Sequence, residues 1–374
     1  MAEKTLDTEN VLGYNVNAEN VFEKPLTAGV KRMSTTIKDI AQLLHLSVST
    51  VSKALNDYPD VAPETKQRVQ EAARSLGYRP NVIAQRLQSR RTGTLGFVIC
   101  YGGDSISDPL FNELLISMLD AAARRQYDLL VSACPLGTSR PAAYERMIKT
   151  GRVDGFILDG TDRQDDRTAY LCQEGFPFVA FGRTDQNLDF PYVDVDGCAG
   201  VRQAVQHLID LGHRRIAFIG LPSFSFCAYD RRLGYEAALE ANGLPLETDL
   251  IVEVEAGSEE NGYSAMIQLL ELSHPPTAVM VSSDLMAIGA LRAAQERGVT
   301  VGHDLALIGF DDISLAAYTH PPLTTLRQPM QEIGQRLVDM LVCLLEDRPL
   351  PERHVILPPP LVIRQSSGET RGGP

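Results

Sequence analysis

Residues 35–57 read TTIKDIAQLLHLSVSTVSKALND, and this stretch decides how the first part of the chain folds. Thr35 or Thr36 can cap a first helix, because Asp39 stands in the opening turn as a capping box requires. After a turn at residues 45–46, Ser47 can cap a second helix. The inward residues at helical spacing are Ile37, Ile40, Ala41 and Leu44, then Val51, Ala54 and Leu55. The spacing predicts two short helices joined by a tight turn.

The outward face of the second helix has an unusual composition. Its residues are Ser49, Thr50, Ser52 and Lys53. An exposed helix usually carries pairs of Glu and Lys, whereas this face is small, hydroxylated and cationic, with no carboxylate. Such a face can enter a DNA groove and donate hydrogen bonds to base edges and phosphates. A plain two-helix hairpin is the alternative that spacing alone leaves open.

Two further segments complete the predicted head. PETKQRVQEAARSLGY, from Pro63, predicts a third helix with proline in its first turn and Gly77 at its end. RPNVIAQRLQSRRTG follows, a segment too short for a stable isolated helix. Because it mixes apolar residues with three arginines after its first position, it is too cationic to be an idle linker.

From Thr94 onward, apolar runs of four to eight residues alternate with amphipathic stretches. The runs are LGFVICY (95–101), YDLLVSA (127–133), GFILDG (155–160), PFVAFG (177–182), RIAFIG (215–220), TAVMVSS (277–283) and LALIGFDD (305–312). Continuous apolar strands that alternate with helices indicate parallel sheets covered on both faces. Seven such units exceed one half of a doubly wound fold, so we expect two α/β lobes with ligand at the carboxyl ends of the strands.

Composition limits the class of protein. The chain has 374 residues, of which 44% are hydrophobic and 22% are charged, as in a globular protein with a large core. It has no apolar run of eighteen residues and no basic-then-apolar leader, so we expect a cytoplasmic protein without a membrane partner. Six scattered cysteines form no zinc or disulfide pattern, and no cofactor or metal is expected.

Enzymatic motifs are missing from the sequence. The seven histidines form no His-Glu-x-x-His set, and there is neither a Gly-x-Ser-x-Gly elbow nor a Walker A loop. We therefore expect a binding protein rather than an enzyme.

The net charge of −13 hides an asymmetry along the chain. Residues 34–91 contain nine basic and five acidic side chains, a net of +4, whereas residues 1–33 carry −1 and the remainder therefore −16. A small basic head on a large acidic body points to nucleic-acid contact, which the overall charge alone would argue against.

Together these segments resemble the lactose/galactose repressor family of bacterial transcription regulators. The resemblance rests on TIKDIAQLLHLSVSTVSKALN, GYRPNVIAQRL, RTGTLGFV, HLIDLGHRRIAFIG, RRLGYEAAL, VMVSSDLMAIGALRAAQERGV, LALIGFDDI and PPLTTLRQP, in this order over residues 35–366. It implies an all-α helix-turn-helix head, a hinge helix, and an α/β core of two parallel-sheet lobes like a type I periplasmic binding protein.

Twelve residues are expected to contact DNA, and the resemblance assigns seven of them. Val48, Ser49 and Lys53 match recognition-helix positions in the major groove, Tyr78 and Asn81 match contacts near the hinge, and Ala84 and Leu87 match hinge residues that enter the minor groove. Thr36, Ser47, Thr50, Ser52 and Asn56 complete the expected set. A leucine wedged between base steps kinks the duplex, which requires two hinge helices, a homodimer and a near-palindromic operator of double-stranded DNA.

The resemblance also implies a small-molecule effector site. Its expected residues are Asp108, Phe111, Arg183, Arg231, Ser283 and Asp311. Carboxylates and arginines that converge on an apolar cleft suit polyol recognition, so a sugar-type effector is expected. The alternative for Arg183 and Asp311 is a helix cap or surface ion pair.

The expected domains are a disordered extension (1–33), the helix-turn-helix domain (34–80), the hinge (81–92), the effector-binding and dimerisation core (93–366) and a tail (367–374). The expected function is a ligand-responsive repressor of a carbohydrate-utilisation operon. A co-repressor-type regulator that responds to a purine is one alternative, and a periplasmic solute-binding protein is another.

Overall fold

The computed structural model describes residues 35–78, 91–99, 108–135 and 137–368. The chain divides into two compact units, residues 1–85 and 86–374. The predicted extension 1–33, the residues Asn81, Ala84 and Leu87 of the predicted hinge, and the last six residues of the predicted tail lie outside the described residues.

Three helices form the described part of the first unit. They are α1 (Ile37–Leu44), α2 (Val48–Leu55) and α3 (Pro63–Ser75). The side chains that they bury together are Ile40, Ala41, Val51, Ala54, Val61, Val69, Ala72 and Ala73. This small core contains every inward residue predicted for the middle of α1 and α2, and Leu55 packs at its edge.

The two predicted capping residues begin their helices as expected. The amide and the hydroxyl of Thr36 both donate to Oδ2 of Asp39, at 2.7 and 2.9 Å. Oγ of Ser47 accepts a hydrogen bond from the amide of Thr50 at 3.0 Å. Between the helices His45 takes a φ of +53°, a left-handed conformation that lets α1 stop and the chain reverse.

The second unit contains two lobes, each built on a sheet whose strands are all parallel. The strands are β1 (Thr94–Ile99), β2 (Asp128–Ala133), β3 (Gly155–Asp159), β4 (Phe178–Phe181), β5 (Tyr192–Val195), β6 (Ile216–Gly220), β7 (Ile251–Glu253), β8 (Ala278–Val281), β9 (Ala306–Ile308) and β11 (His354–Leu357). The first sheet has the order β11-β5-β4-β3-β1-β2 and the second has β7-β6-β8-β9.

Helices cover both faces of each sheet. The first lobe carries α4 (Pro109–Arg124), α5 (Arg140–Lys149), α6 (Asp166–Glu174) and α11 (Met330–Leu345). The second lobe carries α7 (Gly197–Asp210), α8 (Phe226–Ala241), α9 (Glu259–Leu270) and α10 (Asp284–Glu296). A short antiparallel pair, β10 (Thr325–Leu326) and β12 (Leu361–Val362), lies beside β9.

The chain passes between the lobes three times, after β5, after β10 and after β11. The carboxyl ends of the strands of both lobes therefore face one cleft. At Gly234, α8 approaches the start of α7 so closely that a Cβ would clash with the carbonyl oxygen of Cys198. Glycine is required there because any larger residue would push α8, which carries Arg231, away from α7.

The predicted architecture is confirmed. All seven apolar runs contain a strand, and the helical head precedes two parallel-sheet lobes. The sequence missed β5, β7, β10, β11 and β12, which are two to four residues long. None of the five contains four consecutive apolar residues, whereas β4, β8 and β9, which are equally short, lie within longer apolar runs.

Candidate nucleic-acid interface and ligand cavity

The second helix of the first unit presents the surface that the sequence predicted. Val48 is 42% exposed, Ser49 and Lys53 are exposed, and Thr50 and Ser52 are half-buried. The opposite side of the helix places Val51 and Ala54 in the core. Because Val48 is a large apolar side chain left in solvent, this face is available to a partner.

Asn56 and Tyr78 hold the ends of the helices in this unit. Nδ2 of Asn56 donates to the carbonyl of Ser52 at 2.9 Å and so closes the last turn of α2. Tyr78 packs half-buried against the core of the three helices, with its amide on the carbonyl of Ala73 at 2.9 Å. The side-chain amide of Asn56 and the ring of Tyr78 thus have structural partners beside their predicted DNA contacts.

The outward face of α2 itself carries no carboxylate, but Asp60 reaches it from outside the helix. Nζ of Lys53 forms an ion pair with Oδ2 of Asp60, which comes from the loop after α2. The hydrogen bond to Asp60 raises the pKa of Lys53. The periodicity of α2 could not reveal this pairing, because Asp60 lies outside the helix and reaches back toward it.

In the second unit, a cavity of about 210 Å³ lies between the lobes. The first lobe contributes residues from the carboxyl ends of β3, β4 and β5 and from the start of α4, and the second lobe contributes the first turns of α8. Its aromatic walls are Phe111, Phe181 and Phe310, and its charged lining residues are Asp108, Asp159, Asp194, Asp230 and Arg231.

Asp108, Phe111 and Arg231 are the three predicted effector residues that line this cavity. Oδ1 of Asp108 accepts the amide of Leu110 at 2.9 Å and so caps α4. Burial raises the pKa of Asp108. The ring of Phe111 lies 5.9 Å from that of Phe97, centroid to centroid, which fixes it against the sheet.

Arg231 is held by three neighbours of the second lobe. Its Nη1 donates to the carbonyl of Ser282 at 2.6 Å, and its guanidinium lies 3.8 Å from the ring centroid of Phe310. Its Nη2 lies 4.0 Å from Oδ1 of Asp311. The cation is therefore fixed in orientation before any ligand arrives.

Asp311 lies behind the cavity lining rather than in it. Its Oδ1 accepts a hydrogen bond from Nε2 of Gln328 at 2.7 Å, and it is Gln328 that lines the cavity. Burial raises the pKa of Asp311 to about 7, against the opposing charge of Arg231. Its φ of +123° is a strained backbone conformation, which the surrounding hydrogen bonds maintain.

Arg183 and Ser283 also lie outside the lining of the cavity. Arg183 pairs through Nε with Asp194 at 2.6 Å and through Nη2 with Asp230 at 3.2 Å, so it joins two lining carboxylates of different lobes. Ser283 caps α10 through a 3.3 Å hydrogen bond from the amide of Met286. The ion pair that sequence reasoning kept as the alternative for Arg183 is present.

Three lining carboxylates, Asp159, Asp194 and Asp230, were missed by sequence reasoning. A signal existed for Asp159, because it is the polar residue that ends the apolar run GFILDG, where ligand contacts are expected. Asp194 lies within β5, a strand that was not predicted. Asp230 precedes Arg231 in α8, and only the packing of α8 shows that both reach the cavity.

A buried arginine, Arg167, holds the backbone at Asp159. Arg167 is fully buried, and it donates to the backbone carbonyls of Asp159 and Gly160 at 3.0 and 2.7 Å and to the carboxylate of Asp165. Burial raises the pKa of Asp159 to about 6, and the nearby charge of Arg167 opposes the shift. Arg167 thus holds the backbone of the loop that carries Asp159.

Beside the cavity, two loops join the lobes in what we call the interlobe clasp, residues 161–163 and 224–226. The amide of Arg163 donates to the carbonyl of Phe224 at 2.8 Å, and the amide of Phe226 donates to the carbonyl of Thr161 at 3.0 Å. The guanidinium of Arg163 also lies 3.8 Å from the ring centroid of Tyr229. The lobes therefore hold one another through backbone as well as side-chain contacts.

Comparison with known proteins decides the family. Residues 36–81 match the bacterial regulatory proteins of the lacI family, and residues 205–367 match the periplasmic binding protein-like domain. The HTH-type transcriptional regulator AglR of Rhizobium meliloti (strain 1021) is 35% identical over 342 residues, which cover 90% of this chain and 95% of AglR. The chain belongs to the lacI family.

Solved structures of lacI-family proteins share this fold. The lac repressor dimer bound to operator and the anti-inducer ONPF has a TM-score of 0.76 and 27% identity, over 89% of this chain and 99% of that one. The complex of the transcriptional regulator CelR with cellobiose has a TM-score of 0.69 and 29% identity over the same shares. The predicted resemblance is confirmed.

Membership of the lacI family establishes the general function. The chain is a transcriptional regulator with a DNA-binding domain, and the enzymatic alternative is excluded because its relatives are transcriptional regulators. No helix within residues 35–78, 91–99, 108–135 and 137–368 has the length and apolar character to cross a membrane. Over the same ranges, no group of three or more His, Cys, Asp or Glu residues is placed to hold a metal ion.

Proposed function

We propose that this regulator is a repressor of a carbohydrate-utilisation operon, which binds operator DNA and releases it when a sugar-type effector binds. The observation that carries the proposal is the pairing of two features in separate compact units. One unit presents the exposed, hydroxyl-rich face of α2, and the other contains a polar cavity between two lobes.

The proposed reading of DNA begins at α2. Val48, Ser49 and Lys53 are exposed together at one side of the helix, where they can meet base edges in the major groove. The remaining described residues of the predicted set are Thr36, Ser47, Thr50, Ser52, Asn56 and Tyr78, to which we assign backbone contacts around the groove. Asn81, Ala84 and Leu87 keep their proposed hinge and minor-groove roles on the resemblance alone.

A near-palindromic operator requires a homodimer, and exposed apolar side chains support one. In the first lobe Ile116 and Leu119 of α4 are 66% and 44% exposed. In the second lobe Tyr318 is 84% exposed and Leu315 is 50% exposed. Large apolar side chains in solvent on both lobes suit a second copy of the chain, which would bury them in an isologous interface.

Residues at the cavity support the proposed effector class. Asp108, Asp159 and Arg231 offer carboxylate acceptors and guanidinium donors beside the ring of Phe111, an arrangement that suits hydroxyl groups on an apolar ring. The CelR complex contains cellobiose, which makes a sugar the first ligand to test. We place the protein in the cytoplasm, where its DNA partner is found.

Selection of genomic fragments by the purified full chain, followed by gel shifts at two salt concentrations, tests the proposal. We expect specific binding that weakens steeply with salt, because phosphate contacts release counterions. Lys53→Ala should reduce specific affinity about tenfold or more, as loss of a base contact does. Arg74→Ala, which removes one charge near the end of α3, is the control.

Specific binding that Lys53→Ala leaves unchanged would remove α2 from the proposed interface. Failure to select any fragment would refute the proposed repressor function. If the effector strengthens DNA binding instead of weakening it, the protein is a co-repressor-type regulator.

A further inference from the structure

The charges around the interlobe cavity are unequal in number. Among the described lining residues, four are aspartates (Asp108, Asp159, Asp194 and Asp230) and one, Arg231, is a cation. Arg183 lies behind the lining and pairs with both Asp194 and Asp230, at 2.6 and 3.2 Å. These two aspartates therefore already have a partner of opposite charge.

Asp108 and Asp159 have no such partner. No Lys, Arg or His forms an ion pair with either carboxylate among the described residues. The carboxylate of Asp159 takes one hydrogen bond, from the backbone of Gly160. Arg167, the cation nearest to Asp159 in the loop, directs its hydrogen bonds to two backbone carbonyls and to Asp165. Asp108 and Asp159 thus face the cavity with carboxylate oxygens that can accept hydrogen bonds from a ligand.

Arg231, the one cation among the described residues of the lining, already has partners in the protein. It donates to the carbonyl of Ser282 at 2.6 Å and lies 4.0 Å from the carboxylate of Asp311.

Burial makes this excess of carboxylates effective. The pKa of Asp108 and that of Asp159 are both raised, mainly by burial, and the charge of Asp108 also raises the pKa of Asp159. Charges interact more strongly in such a poorly solvated site than in water. A ligand anion placed here would meet unpaired carboxylates, whereas a hydroxyl group could donate to them.

The volume of the cavity limits the size of the ligand. An apolar cavity of roughly 150 Å³ holds a benzene molecule. At about 210 Å³, this cavity has room for one six-membered ring with its substituents. The rings of Phe111, Phe181 and Phe310 supply apolar walls for the C–H faces of that ring.

We infer that the effector is a single-ring polyhydroxylated molecule without an anionic group, whose hydroxyls donate to Asp108 and Asp159. The inference rests on the proposed function and narrows its effector class. It excludes sugar phosphates, sugar acids and disaccharides as ligands of this cavity, and it assigns Asp159 as a ligand-binding residue.

Calorimetry on the full chain with matched probes tests the inference. The panel contains D-glucose, D-galactose and D-mannose, the uronic acid and 6-phosphate of each, D-glucosamine, myo-inositol, maltose and cellobiose. We expect at least one neutral or amino monocyclic member to bind, and its uronic acid and 6-phosphate to bind at least 30-fold more weakly. Asp159→Asn should weaken that binding about tenfold, the loss expected for one charged hydrogen bond.

Asp189→Asn is the matched control, because its carboxylate is 77% exposed and is not among the residues that line the cavity. The inference is overturned if a phosphate, an acid or only a disaccharide binds, or if no member of the panel binds. Gel shifts without ligand distinguish failure of this inference from failure of the proposed repressor function. DNA binding that persists in those cases means that the inference alone has failed, whereas loss of DNA binding refutes the proposed function whatever the ligand.

Discussion

Lys53, a proposed DNA contact, is paired with Asp60. The ion pair between them is about half exposed, so it is weak and sensitive to salt. In the proposed complex, a phosphate or base that binds the ammonium of Lys53 must first replace the carboxylate of Asp60. We therefore expect Asp60 to oppose DNA contacts of every sequence.

Asp60→Asn should strengthen binding to random DNA more than binding to the operator. The expected gain is about threefold for random duplexes at low salt, because one nearby like charge is removed from the phosphate surface. Glu71→Gln, which removes one exposed charge from α3, is the control. Fluorescence anisotropy with two labelled duplexes measures both affinities, and an equal gain for both variants would contradict this role of Asp60.

Asp311 gives a prediction for pH. Burial raises its pKa to about 7, well above the ordinary aspartate value near 4, so the folded protein holds a proton that the unfolded chain releases. Its contribution to stability is therefore full below about pH 4 and is lost as the pH rises toward 7. The neighbouring Asp284, whose pKa burial also raises, acts in the same direction.

Asp311→Asn should remove part of the stability loss that the protein shows as the pH rises toward 7. Relative to the unchanged protein, the variant is expected to gain thermal stability between pH 5 and pH 8, as followed by the unfolding temperature of the second unit. Asp189→Asn should show no such trend. A variant whose difference from the parent protein does not change with pH would show that Asp311 is ionised throughout.

Single residues were the hardest part of the molecule to predict. Asp108, Phe111 and Arg231 could be placed at the cavity because they adjoin predicted strands and helices. Asp194 and Asp230 could not, because their place depends on how two lobes pack around Arg183. Lys53 was predicted to be exposed, but its partner comes from a loop that helical periodicity does not describe.

At the scale of elements, a continuous apolar run separates the predicted strands from the missed ones. β1, β3, β6 and β8 are buried along almost their whole length, and a continuous apolar run marks each of them. β11, by contrast, is an edge strand whose residues alternate between exposed and buried. A four-residue alternation carries too little signal to distinguish an edge strand from a loop.

The interlobe clasp joins two loops, and its strength can be measured directly. Arg163→Ala removes an ion pair with Asp185 and the contact with the ring of Tyr229, but it leaves both backbone hydrogen bonds of the clasp possible. The amides of Arg163 and Phe226 should then exchange with solvent about fivefold faster, since a cation–π contact contributes about 1 kcal/mol. Hydrogen-exchange mass spectrometry measures these rates.

Lys149→Ala removes an exposed i,i+4 pair from α5 of the same lobe and is the control for the clasp. It should leave the exchange of residues 161–163 and 224–226 unchanged. Unaltered exchange in Arg163→Ala as well would show that the backbone bonds hold the loops without help from the side chain.

The exposed face of α4 allows a test of the proposed homodimer. Ile116→Glu places a charge in the proposed apolar interface and should shift the dimer toward monomer, raising the dissociation constant by about tenfold or more. Leu246→Glu is the control, because Leu246 is also exposed and apolar but lies in a loop of the second lobe. Sedimentation velocity distinguishes the two, and a dimer that tolerates Ile116→Glu would place the interface elsewhere.

For the whole molecule, the proposed response to effector is a linkage between two units. The factor by which a bound sugar lowers operator affinity must equal the factor by which operator lowers affinity for that sugar. With any panel member that binds, we expect both factors to agree within error and to lie at roughly 5–150-fold. Calorimetry of the sugar with and without operator duplex, beside gel shifts with and without sugar, measures the two factors, and a clear inequality would mean that a third species takes part.

Chain-wide features were predicted best, because many residues contribute to each. The order of head and lobes follows from eight separate segments and from a charge of +4 over residues 34–91 against about −16 in the body, so no single residue decides it. An acidic body also repels the DNA phosphates, which confines attraction to the head.

The interlobe clasp has a consequence for the affinity of the effector. When only a fraction of a protein occupies the arrangement that binds a ligand, the apparent affinity falls by that fraction. Here the lobes are joined by their own backbone bonds between residues 161–163 and 224–226. If this joined arrangement is the one that binds the proposed effector, the effector loses no affinity to closure of the lobes, and a small ligand with few contacts can bind with its full intrinsic affinity.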